Sequence, residues 1–207
     1  MKYSVIVFDL GNVLIPFDYS KPIQHFNNLK PGLGDRFAGL YKKNYHVHRE
    51  FEKGTITRTQ YLATMIDWLE NMITQEEFSK IFSEIFSLNE DVIALLPKLK
   101  KNYTLCLLSN TNEIHKEYGY KHYKFLSHFD KLFLSHEVGS VKPEEKIYRA
   151  VENFTKRPSS EHLFIDDIQE YIDGAKTCGW DGIQFTGYEK LLKDLKEKNI
   201  VIDDHRD

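Results

Sequence analysis

An α/β architecture, a parallel sheet covered by helices on both faces, is what this 207-residue chain predicts. Three observations carry it. Short apolar runs recur along the chain, and each stops at polar or glycine residues. Stretches with helical spacing fall between them. One interval, 19–88, breaks the alternation and holds helix starts with no convincing strand. Short apolar runs bounded in this way fit strands buried on both faces, and strand–helix alternation fits a parallel sheet.

Taken in order, the strands are Ser4–Phe8, Thr104–Leu108, Leu132–Leu134, His162–Ile165 and Gly182–Phe185. Asn89 is placed to cap a helix over Glu90–Lys100, where Val92, Leu95, Leu96 and Leu99 recur at helical spacing. Asn112 is placed to cap a helix running through Phe125. Pro143 suits the first turn of a helix through Phe154. A helix from about Ile168 ends at Gly179, and Tyr188–Lys198 forms a last surface helix. Inside 19–88, Thr57-x-x-Gln60 and Thr74-x-x-Glu77 fit the capping box, and Gly54 stops the helix carrying His48, Phe51 and Lys53. Tyr61, Leu62, Met65 and Trp68 read as core. The fold class is therefore a Rossmann-like parallel sheet plus an inserted all-helical cap. The core domain is 1–18 with 89–207, and the cap is 19–88. Asp203–Asp207 is charged and expected to fray.

Composition narrows the function. Hydrophobic residues make up 41% of the chain, with 14 Phe and 12 Tyr, which excludes wholesale disorder. The formal net charge is −3 with no long basic run, so nucleic acid is not an expected partner. Cys106 and Cys178 lie far apart outside any CxxC, which excludes a disulfide scaffold and a cysteine zinc site. Both read as apolar fillers in a reducing compartment. The first apolar run ends at Asp9, too short for a signal peptide or a membrane span. The expectation is a cytoplasmic protein with no membrane partner, monomer or homodimer.

In open α/β sheets, ligands bind outside the carboxyl ends of the strands. The polar residues that end the runs therefore share one rim. Asp9 follows the first strand and can serve as a nucleophile, being ionised at neutral pH. Attack on an anionic phosphoryl group requires charge neutralisation. A Mg²⁺ ion held with help from Asp166 and Asp167 would supply it. Ser109 and Asn110 offer a hydroxyl and backbone N–H groups for phosphate oxygens. Lys142 brings positive charge to the transferring group. Each feature alone reads as a turn, a helix cap or a solvated lysine. Four of them on successive strand ends shift the balance towards a site.

In that order the motifs resemble the haloacid dehalogenase superfamily of aspartate-nucleophile hydrolases. The first is Val7-Phe8-Asp9-Leu10-Gly11-Asn12-Val13-Leu14, the second Leu107-Leu108-Ser109-Asn110-Thr111-Asn112. The third is Gly139-Ser140-Val141-Lys142-Pro143, and the fourth Phe164-Ile165-Asp166-Asp167 with Gly174, Ala175 and Gly179 behind it. The resemblance implies a phosphoaspartyl intermediate on Asp9. It implies Mg²⁺ organised by Asp9, the Gly11 carbonyl, Asp166 and Asp167, with Asp167 favoured as the direct ligand of the acid pair. It implies phosphoryl binding by Ser109, the Asn110 backbone and Lys142, under a mobile helical cap. A small phosphorylated metabolite is the implied substrate.

Two positions depart from the family pattern. Where most such phosphatases carry a second aspartate, two residues after the nucleophile, this chain has Gly11. That removes general acid–base help typically worth about 10²–10⁴-fold. The Asp-Leu-Gly-Asn-Val form is similar to a subgroup that includes sugar-phosphate phosphatases, glucose-1-phosphate phosphatases among them. The missing proton relay is then expected from Asp18, from His48 in the cap, or from an acidic leaving group. Tyr171 stands where many members have asparagine, five positions after Asp166. In the segment Tyr45–Phe51, His48 and Phe51 could share a face towards substrate. The alternative buries Phe51 in the cap and turns His48 to solvent. Two other functions remain on the sequence: metal-free 2-haloacid dehalogenase chemistry on the same nucleophile, and a catalytically impaired member that binds a phosphorylated ligand or a protein.

Overall fold

The computed structural model describes residues 2–202; the tail 203–207 lies outside the described residues. Five parallel strands form one sheet in the order β3-β2-β1-β4-β5. They are β1 (Val5–Phe8), β2 (Thr104–Ser109), β3 (Lys131–Leu134), β4 (His162–Asp166) and β5 (Asp181–Gln184). β1 is central. Its register pairs Phe8 with Leu107 of β2 and with Ile165 of β4. The chain adds β2 and β3 on one side of β1, then returns to add β4 and β5 on the other. The strand order therefore reverses beside β1, where such sheets bind ligands.

Both faces of the sheet are buried, which is why the strands read as unbroken apolar runs. Ile6, Phe8, Leu105, Leu107, Leu163 and Ile165 point into one core cluster. Val5, Val7, Cys106, Leu108 and Phe164 point into the other. Each fully buried side chain of this size contributes about 1.5–3 kcal/mol. Helices α6 (Glu90–Ile93), α7 (Leu96–Lys100), α8 (Ser135–Val138), α9 (Glu145–Thr155), α10 (Gln169–Thr177) and α11 (Tyr188–Glu197) accompany β2–β5.

Between β1 and α6 the described residues hold five helices and no strand: α1 (Ser20–Leu29), α2 (Leu33–Lys43), α3 (Tyr45–Lys53), α4 (Arg58–Trp68) and α5 (Gln75–Ser83). They enclose a third, aromatic core of Phe26, Phe37, Phe51, Tyr61, Phe78 and Phe82. Both expected capping boxes form, at Thr57 with Gln60 and at Thr74 with Glu77. Gly54 ends α3 at φ +73°, and a Cβ there would lie 2.8 Å from the His136 carbonyl oxygen of α8. That glycine both terminates a helix and lets the helical layer approach the sheet.

Three local expectations are corrected. The segment 90–100 is two short helices, and Asn89 does not cap the first. Its side chain instead donates to the Val13 carbonyl at 2.9 Å, tying the helix entry to the loop after Asp9. The Asn112 segment is capped as expected, with Asn112 Oδ1 accepting from His115 N at 3.0 Å. It then widens into a π-helical turn, His115–Tyr120, and a separate 3₁₀ turn, Lys124–His128. Phe86 presses on this turn so closely that a Cβ on Gly119 would meet it at 2.6 Å. Pro143 lies ahead of α9 rather than in its first turn, after a cis Lys142–Pro143 bond.

Candidate active site

Asp9 follows the last residue of β1, and Asp166 is the last of β4. Parallel pairing holds them side by side, with Asp9 N donating to the Ile165 carbonyl at 2.8 Å. Lys142 enters from the loop between β3 and α9. Its backbone is clamped by Asn110, whose Oδ1 accepts from Lys142 N at 2.7 Å and whose Nδ2 donates to Lys142 O at 3.1 Å. The Asn110 side chain is thus spent on scaffolding. The Lys142 ammonium lies 2.8 Å from Asp9 Oδ1 and 2.6 Å from Asp166 Oδ2. Lys142 and Asp166 are 1% and 0% exposed, so this row of charges is isolated from water.

Charge in the row does not balance. Asp9, Asp166 and Asp167 bring ligand atoms within 4.8 Å of one another. Lys142 supplies one positive charge against three carboxylates. Burial pushes the Asp9 carboxyl above its ordinary range; Lys142 pulls it down, and Asp166 and Asp167 push it up again. Burial also raises Asp167, opposed by the Asn12 amide that donates to it at 3.1 Å. For Lys142, burial works against the ammonium, but Asp166 and Asp9 outweigh it and hold its pKa above the lysine norm. An all-oxygen set with surplus negative charge is what a hard divalent cation requires. Asp166 has both oxygens engaged, by Lys142 and by Ile168 N at 2.8 Å. Asp167 is half-buried and lines the cavity in front of Asp9, together with Gly11, Asn110 and Lys142.

This cavity, of about 120 Å³, adjoins a second of about 270 Å³ beneath the helical layer. Gly11, Phe17, Tyr45, Glu52 and Asn110 line both. Ser109, 3% exposed, lines the second cavity. A side chain at position 11 would project onto the Phe17 ring, with a Cβ 3.1 Å from Phe17 Cε1.

The two proton-relay candidates part company here. Asp18 is exposed, accepts from Ser20 N at 2.8 Å and lines neither cavity. His48 does not face solvent, as one reading had it. It is 4% exposed, lines the larger cavity, and its Nε2 lies 3.2 Å from Glu52 Oε1. Phe51 packs into the helical core, stacked on Tyr61 at 4.2 Å between centroids.

Sequence reasoning missed Arg49 and Glu52. Arg49 donates to Glu52 Oε2 and to the Lys142 carbonyl, both at 3.1 Å, and reaches Tyr171 Oη at 3.5 Å. It thus ties α3 to the loop that carries Lys142. Burial would push the Glu52 carboxyl up, but His48 and Arg49 hold it below the ordinary range. The available signal was the i, i+4 spacing of His48 and Glu52, which puts both on one helix face.

A family model for haloacid dehalogenase-like hydrolases matches residues 41–187. The chain belongs to that family. D-ribitol-5-phosphate phosphatase of Bacteroides thetaiotaomicron is 30% identical over 192 residues, covering 86% of this chain and 90% of that protein. The HAD family enzyme BT-2542 of Bacteroides thetaiotaomicron, solved in complex with magnesium and inorganic phosphate, superposes with a TM-score of 0.77. It is 25% identical and covers 91% of this chain, which covers 98% of it. L-2-haloacid dehalogenase of Xanthobacter autotrophicus shares the fold at a TM-score of 0.64 and 16% identity, over 96% of this chain and 84% of that one.

Proposed function

We propose that this chain is a Mg²⁺-dependent phosphatase that hydrolyses a phosphate monoester of a small metabolite, a sugar phosphate being the leading class. The observation that carries the reading is the buried row Asp9–Lys142–Asp166, with Asp167 at its mouth and a cavity before it. The phosphatase relative and the magnesium and phosphate in the BT-2542 complex support it.

Asp9 attacks phosphorus in line with the ester oxygen. The phosphorus–oxygen bond to the alcohol breaks and a phosphoaspartyl group forms. Water then cleaves that acyl phosphate, returning free Asp9 and inorganic phosphate. Asp9, the Gly11 carbonyl, Asp167 and Asp166 would hold Mg²⁺, with Asp167 the better placed of the pair because both oxygens of Asp166 are engaged. The ion, when bound, neutralises charge on the phosphoryl oxygens. Lys142 stabilises the same charge, and Ser109 with the Asn110 N–H receives the remaining oxygens. His48 is the better supported proton relay to the leaving alcohol, because it lines the adjoining cavity and Asp18 does not. The layer 19–88 acts as the cap over the core 1–18 and 89–207, and Arg49 latches the two.

Every residue invoked comes from one chain, so turnover does not call for a second copy. Among the described residues no helix is long and apolar enough to cross a membrane. Buried free thiols at Cys106 and Cys178 support placement in the cytoplasm. The test is a panel of phosphate esters with Mg²⁺, each repeated in EDTA. Release of phosphate that stops on chelation and returns with Mg²⁺ is expected. Chelator-insensitive halide release from 2-haloacids, with no phosphate release, would overturn the reading.

A further inference from the structure

Lys142 is enclosed by more than its two carboxylates. Tyr171 belongs to the first turn of α10, three residues before Gly174, so the two share one face of that helix. Gly174 lets the face close on the turn that carries the lysine. A Cβ there would meet Pro143 Cβ at 2.7 Å and Tyr148 Oη at 3.0 Å. Tyr148 Oη donates to the Tyr171 carbonyl at 2.7 Å and fixes the start of the helix. The Tyr171 ring therefore stands over the Lys142 ammonium, with Nζ 4.9 Å from the ring centroid. Phe164 of β4 presents a second ring at 5.5 Å. Both distances fall within the range of cation–π attraction.

The ammonium has three N–H bonds, and Asp9 and Asp166 lie within reach of two. A ring face attracts the charge without taking up a lone-pair direction, so an N–H stays available for a phosphoryl oxygen. Tyr171 is half-buried and lines the cavity in front of Asp9. Without its ring that cavity, and the water that fills it, would extend to the flank of the ammonium. Fixed charges stabilise a transition state most strongly where water is kept out.

The other end of the side chain meets the helical layer. Tyr171 Oη accepts from Arg49 Nη1 at 3.5 Å, while Arg49 Nη2 donates to the Lys142 carbonyl at 3.1 Å. Glu52 holds the same guanidinium at 3.1 Å. One arginine of α3 thus touches both the backbone of Lys142 and the residue whose ring faces its ammonium.

We propose that Tyr171 is a positioning residue for phosphoryl transfer: its ring walls the Lys142 ammonium from water, and its hydroxyl ties that wall to Arg49 of the helical layer. The assignment rests on the phosphatase reading of the rim. Loss of the ring strikes the chemical step, and loss of the hydroxyl strikes the join.

The experiment measures kcat and KM with Mg²⁺ for p-nitrophenyl phosphate and a pentose phosphate, with the far-ultraviolet spectrum of each variant as the check on folding. Tyr171→Leu and Tyr171→Met remove the ring, and kcat is expected to fall about tenfold with KM within about threefold of wild type. Tyr171→Phe restores the ring, so kcat is expected to return to within about threefold while KM rises by about that factor. In a Lys142→Met background there is no ammonium to wall, and Tyr171→Leu is expected to change kcat by less than about twofold more. On top of Arg49→Gln, Tyr171→Phe is expected to leave KM where the first substitution put it. Equal loss of kcat in Tyr171→Leu and Tyr171→Phe, or the same loss from Tyr171→Leu with and without Lys142, would overturn the assignment while leaving the phosphatase standing. Should the ring-less variants unfold, the second pair decides, and additive effects of Tyr171→Phe and Arg49→Gln on KM would overturn it. A wild type that releases phosphate from no ester of the panel would overturn the phosphatase reading, and this assignment with it.

Discussion

At the rim of the sheet the polar groups are charged and bonded to one another; under the helical layer the cavity wall is mostly aromatic, and its one carboxylate, Glu52, is held by His48 and Arg49. Asp166 spends both oxygens and Lys142 bridges two carboxylates, all nearly sealed from water. The neighbouring cavity is walled largely by rings, those of Phe17, Tyr19, Tyr45, Phe86 and Tyr120 among them. The contrast is one of reaction part. A phosphoryl group is the same in every ester, so its site can be fixed in advance by the protein's own charges, which is where preorganisation acts on a transition state. A leaving group varies from ester to ester, so the walls that meet it carry no such row of charges.

The largest effect expected from breaking this contrast is at Asp9. Asp9→Asn removes the nucleophile but keeps the shape, so kcat should fall on the order of 10⁴-fold or more, with the far-ultraviolet spectrum retained. Near-wild-type turnover by the purified variant would refute covalent attack by this carboxylate. Next comes Lys142→Met. It leaves Asp9 and Asp166 facing one another without a cation in a dry interior. Turnover should drop about 10²–10³-fold, and chemical denaturation should show a loss of about 3–5 kcal/mol, the cost of breaking a buried ion pair. Loss of activity with unchanged stability would mean that the row is catalytic without being structural.

Arg49→Gln probes the join between the two regions. Its bonds to Glu52 and the Lys142 carbonyl should make its loss raise KM about tenfold, the scale of one charge-assisted hydrogen bond, with a smaller fall in kcat. A fall in kcat alone would place Arg49 on the transferring group instead of on the join. The smallest effect is thermodynamic. Burial, reinforced by His48, pushes the His115 pKa down to about 3. The unfolded chain titrates near 6.5. The folded state therefore keeps His115 neutral while the unfolded state takes up a proton first. Its contribution is full above about pH 6.5 and declines as the pH falls towards the folded value. Between pH 7 and pH 5, wild type should lose on the order of 1 kcal/mol that His115→Gln does not lose, read from denaturation midpoints.

What the sequence by itself determined is the framework of the rim. The five strands fall within a few residues of their apolar runs, because strands buried on both faces need such runs. Asp9, Ser109 and Asp166–Asp167 were legible because each stands at or just beyond a strand, and parallel topology carries those ends to one side; Lys142 was legible from its motif and reaches the same rim from beyond α8. The capping boxes at Thr57 and Thr74 were legible for the same reason, being local hydrogen-bond patterns with fixed spacing. What failed was local reading where a distant contact overrides it. Asn89 abandons its helix for the Val13 carbonyl, and the Asn112 segment widens where Phe86 lies against Gly119. The cavity under the helical layer was decided by tertiary structure alone. Tyr41, His48, Glu52 and His115 come from α2, α3 and a π turn, separated by up to 74 residues of chain between Tyr41 and His115. Side chains from separate helices meet only through packing, and no spacing in the chain encodes which faces converge.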